Sequence, residues 1–203
     1  MKVLNLYVGI GGNRKLWEDV EVIAIENVRE IARIYKDFFP RDRVIVCDAH
    51  NYLLNNFDKF DFIWSSPPCP SHSRIRKQTS VPRGQAKPIF PDMKLYEEIL
   101  FLDGYFKGIW IVENVIGFYE PLIRPYEIQR HYFWSNFPIT NLRLENDNIS
   151  RGKVSEWEKK YGFDLSKYKL KTQKKTILRN CVHPKLGLHI FNCAFKEKQM
   201  VLK

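Results

Sequence analysis

The chain has 203 residues, 44% of them hydrophobic, and a formal net charge of +10 at pH 7. That length carries one domain with a sizeable core and argues against two large ones. No apolar run approaches the ~20 residues that cross a bilayer and the N-terminus has no signal-peptide pattern, so a cytoplasmic protein with no membrane contact is expected.

The four cysteines, Cys47, Cys69, Cys181 and Cys193, are widely spaced with no Cys-x-x-Cys pair, which implies neither a disulfide framework nor a structural zinc. No metal is expected. The charge is unevenly placed: Arg74 to Lys94 holds six Lys or Arg against one acid, and Arg151 to Arg179 holds ten against three. Two basic segments on a balanced body suggest a groove for a polyanion, although solvated lysine-rich loops give the same pattern.

In chain order, Lys2 to Val8 reads as a first strand, followed at once by Gly9-Ile10-Gly11-Gly12. Glycines behind a strand let the backbone approach a ligand, but Arg14 and Lys15 depart from the dinucleotide fingerprint. A second strand, Val20 to Ile25, ends in Glu26, an acid placed to meet ribose hydroxyls or simply to open the next turn. Val28 to Phe38 has helical spacing, ended by Pro40; Arg43 to Cys47 is a third strand, capped by Asp48.

After a short helix the apolar run Phe60 to Trp64 reads as a fourth, buried strand, ended by Pro67-Pro68-Cys69. Two prolines forbid helix and further pairing, so the thiol is presented on a stiff turn at a strand end. Ser71 to Pro91 has little apolar periodicity and reads as a long mobile lid. Pro91 to Leu102 reads as a helix, and Trp110 to Val112 as a fifth strand ending in Glu113-Asn114-Val115. If strands four and five pair, Glu113 lies beside Cys69. His131 to Phe137 is an aromatic strand with Arg130 at its start, the stretch from Thr140 to about Lys175 is polar and basic, and Pro184 to about Phe195 is an amphipathic helix.

Strands alternating with helices predict a doubly wound, mostly parallel α/β sheet. Three units are expected: 1–138 for the catalytic and cofactor-binding body, 139–175 for a small recognition segment, and 176–203 returning to the body. Nothing in the sequence asks for an oligomer, and a monomer is expected.

Together these positions resemble the DNA cytosine-5 methyltransferases. Tyr7 to Gly12 is similar to that family's first motif, Pro68-Cys69 to its catalytic motif, Glu113-Asn114-Val115 to its Glu-Asn-Val motif, Arg130 to the second arginine of Gln-x-Arg-x-Arg, and Asn180-Cys181-Val182 to the final Asn-x-Val. The resemblance implies the Rossmann-like methyltransferase fold with a small basic recognition appendage. It also implies an S-adenosylmethionine site formed by Tyr7, Gly9, Ile10, Gly11, Gly12, Glu26, Asn27, Asp48, Ala49, Pro68, Leu95, Asn180 and Val182. Cys69, Glu113 and Arg130 would be catalytic, and double-stranded DNA the partner, contacted by Ser71, Arg74, Arg76, Lys77, Arg83, Lys171, Lys174 and Lys175. Pro70, Ile128 and Arg179 depart from the motifs, and the recognition segment is far shorter than usual.

The chemistry asks for these residue types independently. C5 of cytosine is a poor nucleophile, so a thiolate must first add to C6, and a carboxyl at N3 stabilises the resulting enamine. The base must leave the duplex to be reached. Three other readings compete: a nicotinamide oxidoreductase, opposed by the missing third glycine; a Cys69–His72 hydrolase, opposed by a spacing that is no spatially assembled pair; and a catalytically inactive DNA-binding protein on the same fold, for which Cys69 and Glu113 would have no use.

Overall fold

The computed structural model describes residues 1–144, 153–171 and 173–195. Arg151, within the second basic segment, and residues 196–203 of the C-terminal unit lie outside the described residues.

Seven strands form one sheet: β1 (Lys2–Leu6), β2 (Glu21–Ile25), β3 (Arg43–Ile45), β4 (Phe62–Ser65), β5 (Ile109–Val115), β6 (Tyr126–Ile128) and β7 (His131–Ser135), in the order β3-β2-β1-β4-β5-β7-β6. The pairs among β1 to β5 are parallel, and β7 runs antiparallel to both β5 and β6. This is the doubly wound sheet the alternation predicts. β1 leads outward to β2 on one side while β4 leads to β5 on the other, so their carboxyl ends flank the crevice where such sheets bind ligands.

The buried strands explain the near-continuous apolar runs, because both faces of the sheet are covered. On one face Leu4, Leu6, Ile63 and Val112 pack against α2 (Ala49–Asn56) and α3 (Lys94–Tyr105). On the other, Val3, Phe62, Trp64, Ile111 and Phe133 meet α1 (Arg29–Phe38) and α6 (Pro184–Phe195). The side chains of α1 at Ile31, Ile34 and Tyr35 recur at helical spacing on one buried stripe.

Boundaries differ from the sequence reading at strand ends. β1 stops at Leu6, because Tyr7 takes a left-handed φ of 56° and turns the chain into the glycine loop. β5 continues through Glu113, Asn114 and Val115, because β7 supplies an antiparallel partner along that stretch. β6, which the sequence did not suggest, is three residues long and among the described residues pairs only with β7. The lid carries a π-helical turn at Arg76–Ser80 in place of a featureless loop.

The stretch expected to form the recognition segment builds α4 (Val154–Tyr161) and the start of α5 (Lys174–Arg179). Trp157, Tyr161, Phe163, Leu165 and Tyr168 are buried in the same cluster as the sheet face with Phe62 and Trp64. The spacing missed this contact because these side chains sit among Lys and Glu residues that remain outside.

Candidate functional site

The first wall of the site is the turn after β1. Gly9 adopts φ 54° with open space where a side chain would stand, and its N–H donates to Glu26 Oε2 at 3.0 Å. Glu26 Oε1 accepts from the Val28 N–H at 3.0 Å, so the carboxyl that ends β2 holds the glycine loop in place. Burial pushes the Glu26 pKa up, and these backbone donors oppose the rise. A Cβ on Gly12 would come within 2.4 Å of the Val182 carbonyl, so only glycine lets the chain after α5 lie against the loop. Ile10 is fully buried, whereas Asn27 is exposed beside Glu26.

A shallow cleft, partly open to solvent, results from this approach; it is lined by Tyr7, Gly9, Gly12 and Ser66 on one side and by Ile177, Asn180 and Val182 on the other. Its two walls come from opposite ends of the chain. Ser66 belongs to the Pro-Pro-Cys turn, which brings the glycine cradle and that turn to a common edge. The glycine loop, its buried acid and this open cleft fit an adenosine-bearing cofactor such as S-adenosylmethionine.

The residues expected beside the adenosine make further contacts within the chain. Asp48 caps α2 by accepting the Asn51 N–H at 2.8 Å, and Ala49 is buried behind it. The Tyr7 hydroxyl donates to Glu98 Oε1 at 2.6 Å. Glu98, with 0% of its surface exposed, also takes Ser65 Oγ at 2.5 Å and His50 Nδ1 at 3.1 Å. One buried carboxyl therefore ties the ends of β1 and β4 and the start of α2 to α3. The sequence reading missed it. The signal was an acid on the buried stripe Leu95, Ile99, Leu102 of α3, where an apolar residue is the default. Leu95 itself is 2% exposed and faces this core.

The second wall is the turn after β4. Ser65 pairs with Val112, so Cys69 and Glu113 both lie at the carboxyl end of adjacent parallel strands. Asn114 Nδ2 donates to the Pro67 carbonyl at 2.9 Å, fastening β5 to the proline turn. Pro67 is buried while Pro68 and Pro70 are exposed, and Cys69 is half-buried between them. Burial, followed by the Glu113 charge, pushes the Cys69 thiol up to about 11, with Arg130 and Arg179 pulling the other way. Arg130 Nη2 also reaches the Arg179 carbonyl at 3.5 Å, linking the start of β7 to α5. Glu113 Oε1 lies 2.6 Å from His131 Nδ1, a contact the aromatic-strand reading passed over.

The other cysteines are differently placed. Cys181 is buried with its thiol pushed up to about 12 by burial, and its Sγ donates to the Ile177 carbonyl. Cys47 is half-buried, with burial and the Asp48 charge raising it. His72 does not pair with Cys69 through its ring, which meets the Tyr119 hydroxyl at 2.7 Å; only its backbone N–H reaches the Cys69 carbonyl. That removes the geometry a Cys-His hydrolase needs.

The expected polyanion contacts divide. Ser71 is buried, and its Oγ accepts the Asp92 N–H at 3.1 Å, so it joins the two ends of the lid. Arg74 Nε donates to the Gly117 carbonyl, Arg76 Nη2 to the Lys87 carbonyl, and Lys77 Nζ lies 4.3 Å from the Phe118 ring. Lys174 donates to the Ser166 carbonyl and Lys175 stands over Trp157. Arg83 and Lys171 are exposed. Among the described residues no group of three or more potential ligands forms a metal site, and no helix is long and apolar enough to cross a membrane.

Residues 1–119 match the family model described as C-5 cytosine-specific DNA methylase. The chain belongs to that family. A human tRNA (cytosine(38)-C(5))-methyltransferase is 28% identical over 125 residues, which are 58% of this chain and 31% of that protein. The match thus spans about a third of the human relative's length. The similar solved structures include the following two. A Spodoptera frugiperda DNMT2 variant has 19% identity and a TM-score of 0.47, covering 72% of this chain and 56% of that one. The Entamoeba histolytica methyltransferase EhMeth has 12% identity and a TM-score of 0.42, covering 77% and 59%. Cys69 and Glu113 both lie within the matched residues.

Proposed function

We propose that this chain methylates C5 of a cytosine extruded from double-stranded DNA, through a covalent bond between Cys69 Sγ and C6. The observation that carries the reading is the placement of Cys69 and Glu113 at adjacent strand ends, close enough for the carboxylate charge to act on the thiol. S-adenosylmethionine supplies an electrophilic methyl group, and the cleft of Tyr7, Gly9, Gly12, Asn180 and Val182 is the place we assign to it.

Cys69 loses its thiol proton to solvent and adds to C6 as the thiolate, and the electron pair displaced from the C5–C6 double bond becomes available at C5 while Glu113 and Arg130 hold the N3 edge. C5 takes the methyl group, the C5 proton is lost to solvent, and the Sγ–C6 bond breaks as the double bond re-forms. A thiol held near 11 is mostly protonated at neutral pH, so thiolate formation depends on the substrate's arrival and on the cations Arg130 and Arg179. The lid from Ser71 to Asp92 and the basic stretch 153–175 offset the few kcal/mol needed to unstack the base.

An oligonucleotide carrying 5-fluorocytosine blocks the final proton loss, so protein, DNA and methyl group should stay joined in a denaturing gel. Cys69→Ser should lose that band and keep DNA binding, whereas Cys47→Ser, Cys181→Ser and Cys193→Ser should retain it. A band that survives in Cys69→Ser ends the mechanism. RNA is the second reading, favoured by the match to a human tRNA methyltransferase. Labelled-methyl transfer to duplex DNA and to tRNA in parallel separates the two.

A further inference from the structure

Glu113 and His131 face each other across an antiparallel pair in which Val115 is opposite His131 and Glu113 is opposite Phe133. The two side chains therefore meet on the diagonal, on the same face of the sheet. Glu113 is 6% exposed and His131 4%, and Oε1 and Nδ1 are 2.6 Å apart. His131 Nε2 is buried with no hydrogen-bond partner among the described residues. The Phe133 ring lies 6.0 Å away, tilted by 36°. A carboxylate beside one ring nitrogen favours the tautomer with the proton on Nδ1, in which Nε2 is left bare in an apolar setting.

This arrangement answers a need of the cytosine reading, on which the inference rests. A carboxyl that serves the N3 edge must present one oxygen in one orientation, and a free Glu side chain has three torsions to settle. We propose that His131 is a positioning residue for Glu113: its Nδ1–H clamps Oε1 so that Oε2 is the oxygen turned to the substrate base. Arg130, adjacent in the chain, is tied to α5 by the contact of its Nη2 with the Arg179 carbonyl. The Glu113 charge reaches Cys69 in the turn after β4, a thiol on which Arg130 and Arg179 also act with the opposite sign. Because the clamp does not touch the cofactor cleft, its loss should leave cofactor affinity intact.

Two measurements test it. Single-turnover methyl transfer in His131→Leu should fall on the order of 10²-fold, the scale of a positioned acid–base group, with KM for nucleic acid and calorimetric affinity for S-adenosylmethionine unchanged. His131→Asn, whose side-chain amide stands near the place of Nδ1, should recover most of the rate. Equal losses in both variants would overturn the clamp, as would recovery in neither with an unchanged pH–rate profile. The second measurement needs no activity: in 15N-histidine-labelled protein, Glu113→Gln should move the one ring resonance that disappears in His131→Asn. If no histidine resonance moves, the pair is not formed. Wild-type protein that transfers no methyl group to any cytosine substrate, yet shows the moved resonance, would strike the proposed function and leave the clamp standing.

Discussion

At the scale of single residues, two carboxyls set the behaviour of the site. Glu113 opposes ionisation of Cys69 after burial has already raised it, giving a thiol near 11. Alkylation of Cys69 by iodoacetamide should therefore climb about tenfold per pH unit between pH 7 and 10. A plateau near pH 8.5 would contradict that placement. Glu113→Gln removes the opposing charge and should speed alkylation at pH 8 by about threefold to tenfold, as a shift of half to one unit would. Glu98 acts through His50, whose pKa is raised first by its hydrogen bond to that carboxyl. A histidine with a raised folded pKa contributes stability that is complete below its unfolded value of about 6.5 and is lost as pH rises through the folded value. The melting temperature should accordingly fall between pH 6 and 8.5, and His50→Gln should flatten that slope. An unchanged slope in the variant would assign the pH dependence to another group.

At the scale of elements, the proline turn and the lid are held by ties from β5 and from the loop at its carboxyl end. Asn114 fastens β5 to the Pro67 carbonyl, and its own Oδ1 accepts the Val115 N–H at 3.0 Å. The lid is anchored at its start by the Ser73–Gly117 bridge and closed by Ser71 against Asp92. Asn114→Ala would leave the Pro67 carbonyl buried without this donor, at a cost of about 1–3 kcal/mol. Its methyl transfer should drop while calorimetric affinity for S-adenosylmethionine remains, and an unaltered rate would show that the turn is stiff without β5. The second half of the lid is less covered: Arg83 and Lys87 are exposed, and Phe90 is 95% exposed. Arg83→Ala with Lys87→Ala should reduce the salt dependence of nucleic-acid binding by about 0.9 in slope per lost phosphate contact on duplex DNA. An identical slope would move the contact elsewhere.

At the scale of the whole molecule, the segment after β7 is bound into the body. Trp157 is 3% exposed in the cluster that holds Phe62 and Trp64, so Trp157→Ala should destabilise the protein by about 3–5 kcal/mol and lower its melting temperature. A small change would mean that α4 folds and unfolds apart from the sheet. The order of β1 to β5 with the helices between them, the Pro-Pro-Cys turn and the Glu-Asn-Val strand end were legible from sequence, because hydrophobic period, proline stiffness and glycine permissiveness are local properties. The helix Pro184–Phe195 was legible for the same reason, its start set by proline and its length by apolar spacing. Tertiary structure alone decided the rest. β6 exists because β7 offers it an edge; Ser71 turned inward because the lid's two ends meet; and Trp157, Tyr161 and Phe163 entered the core despite charged neighbours. The Glu98 hub and the His131–Glu113 contact likewise depend on which strands and helices become neighbours, since a carboxylate at a core position acquires its meaning from donors distant in the chain.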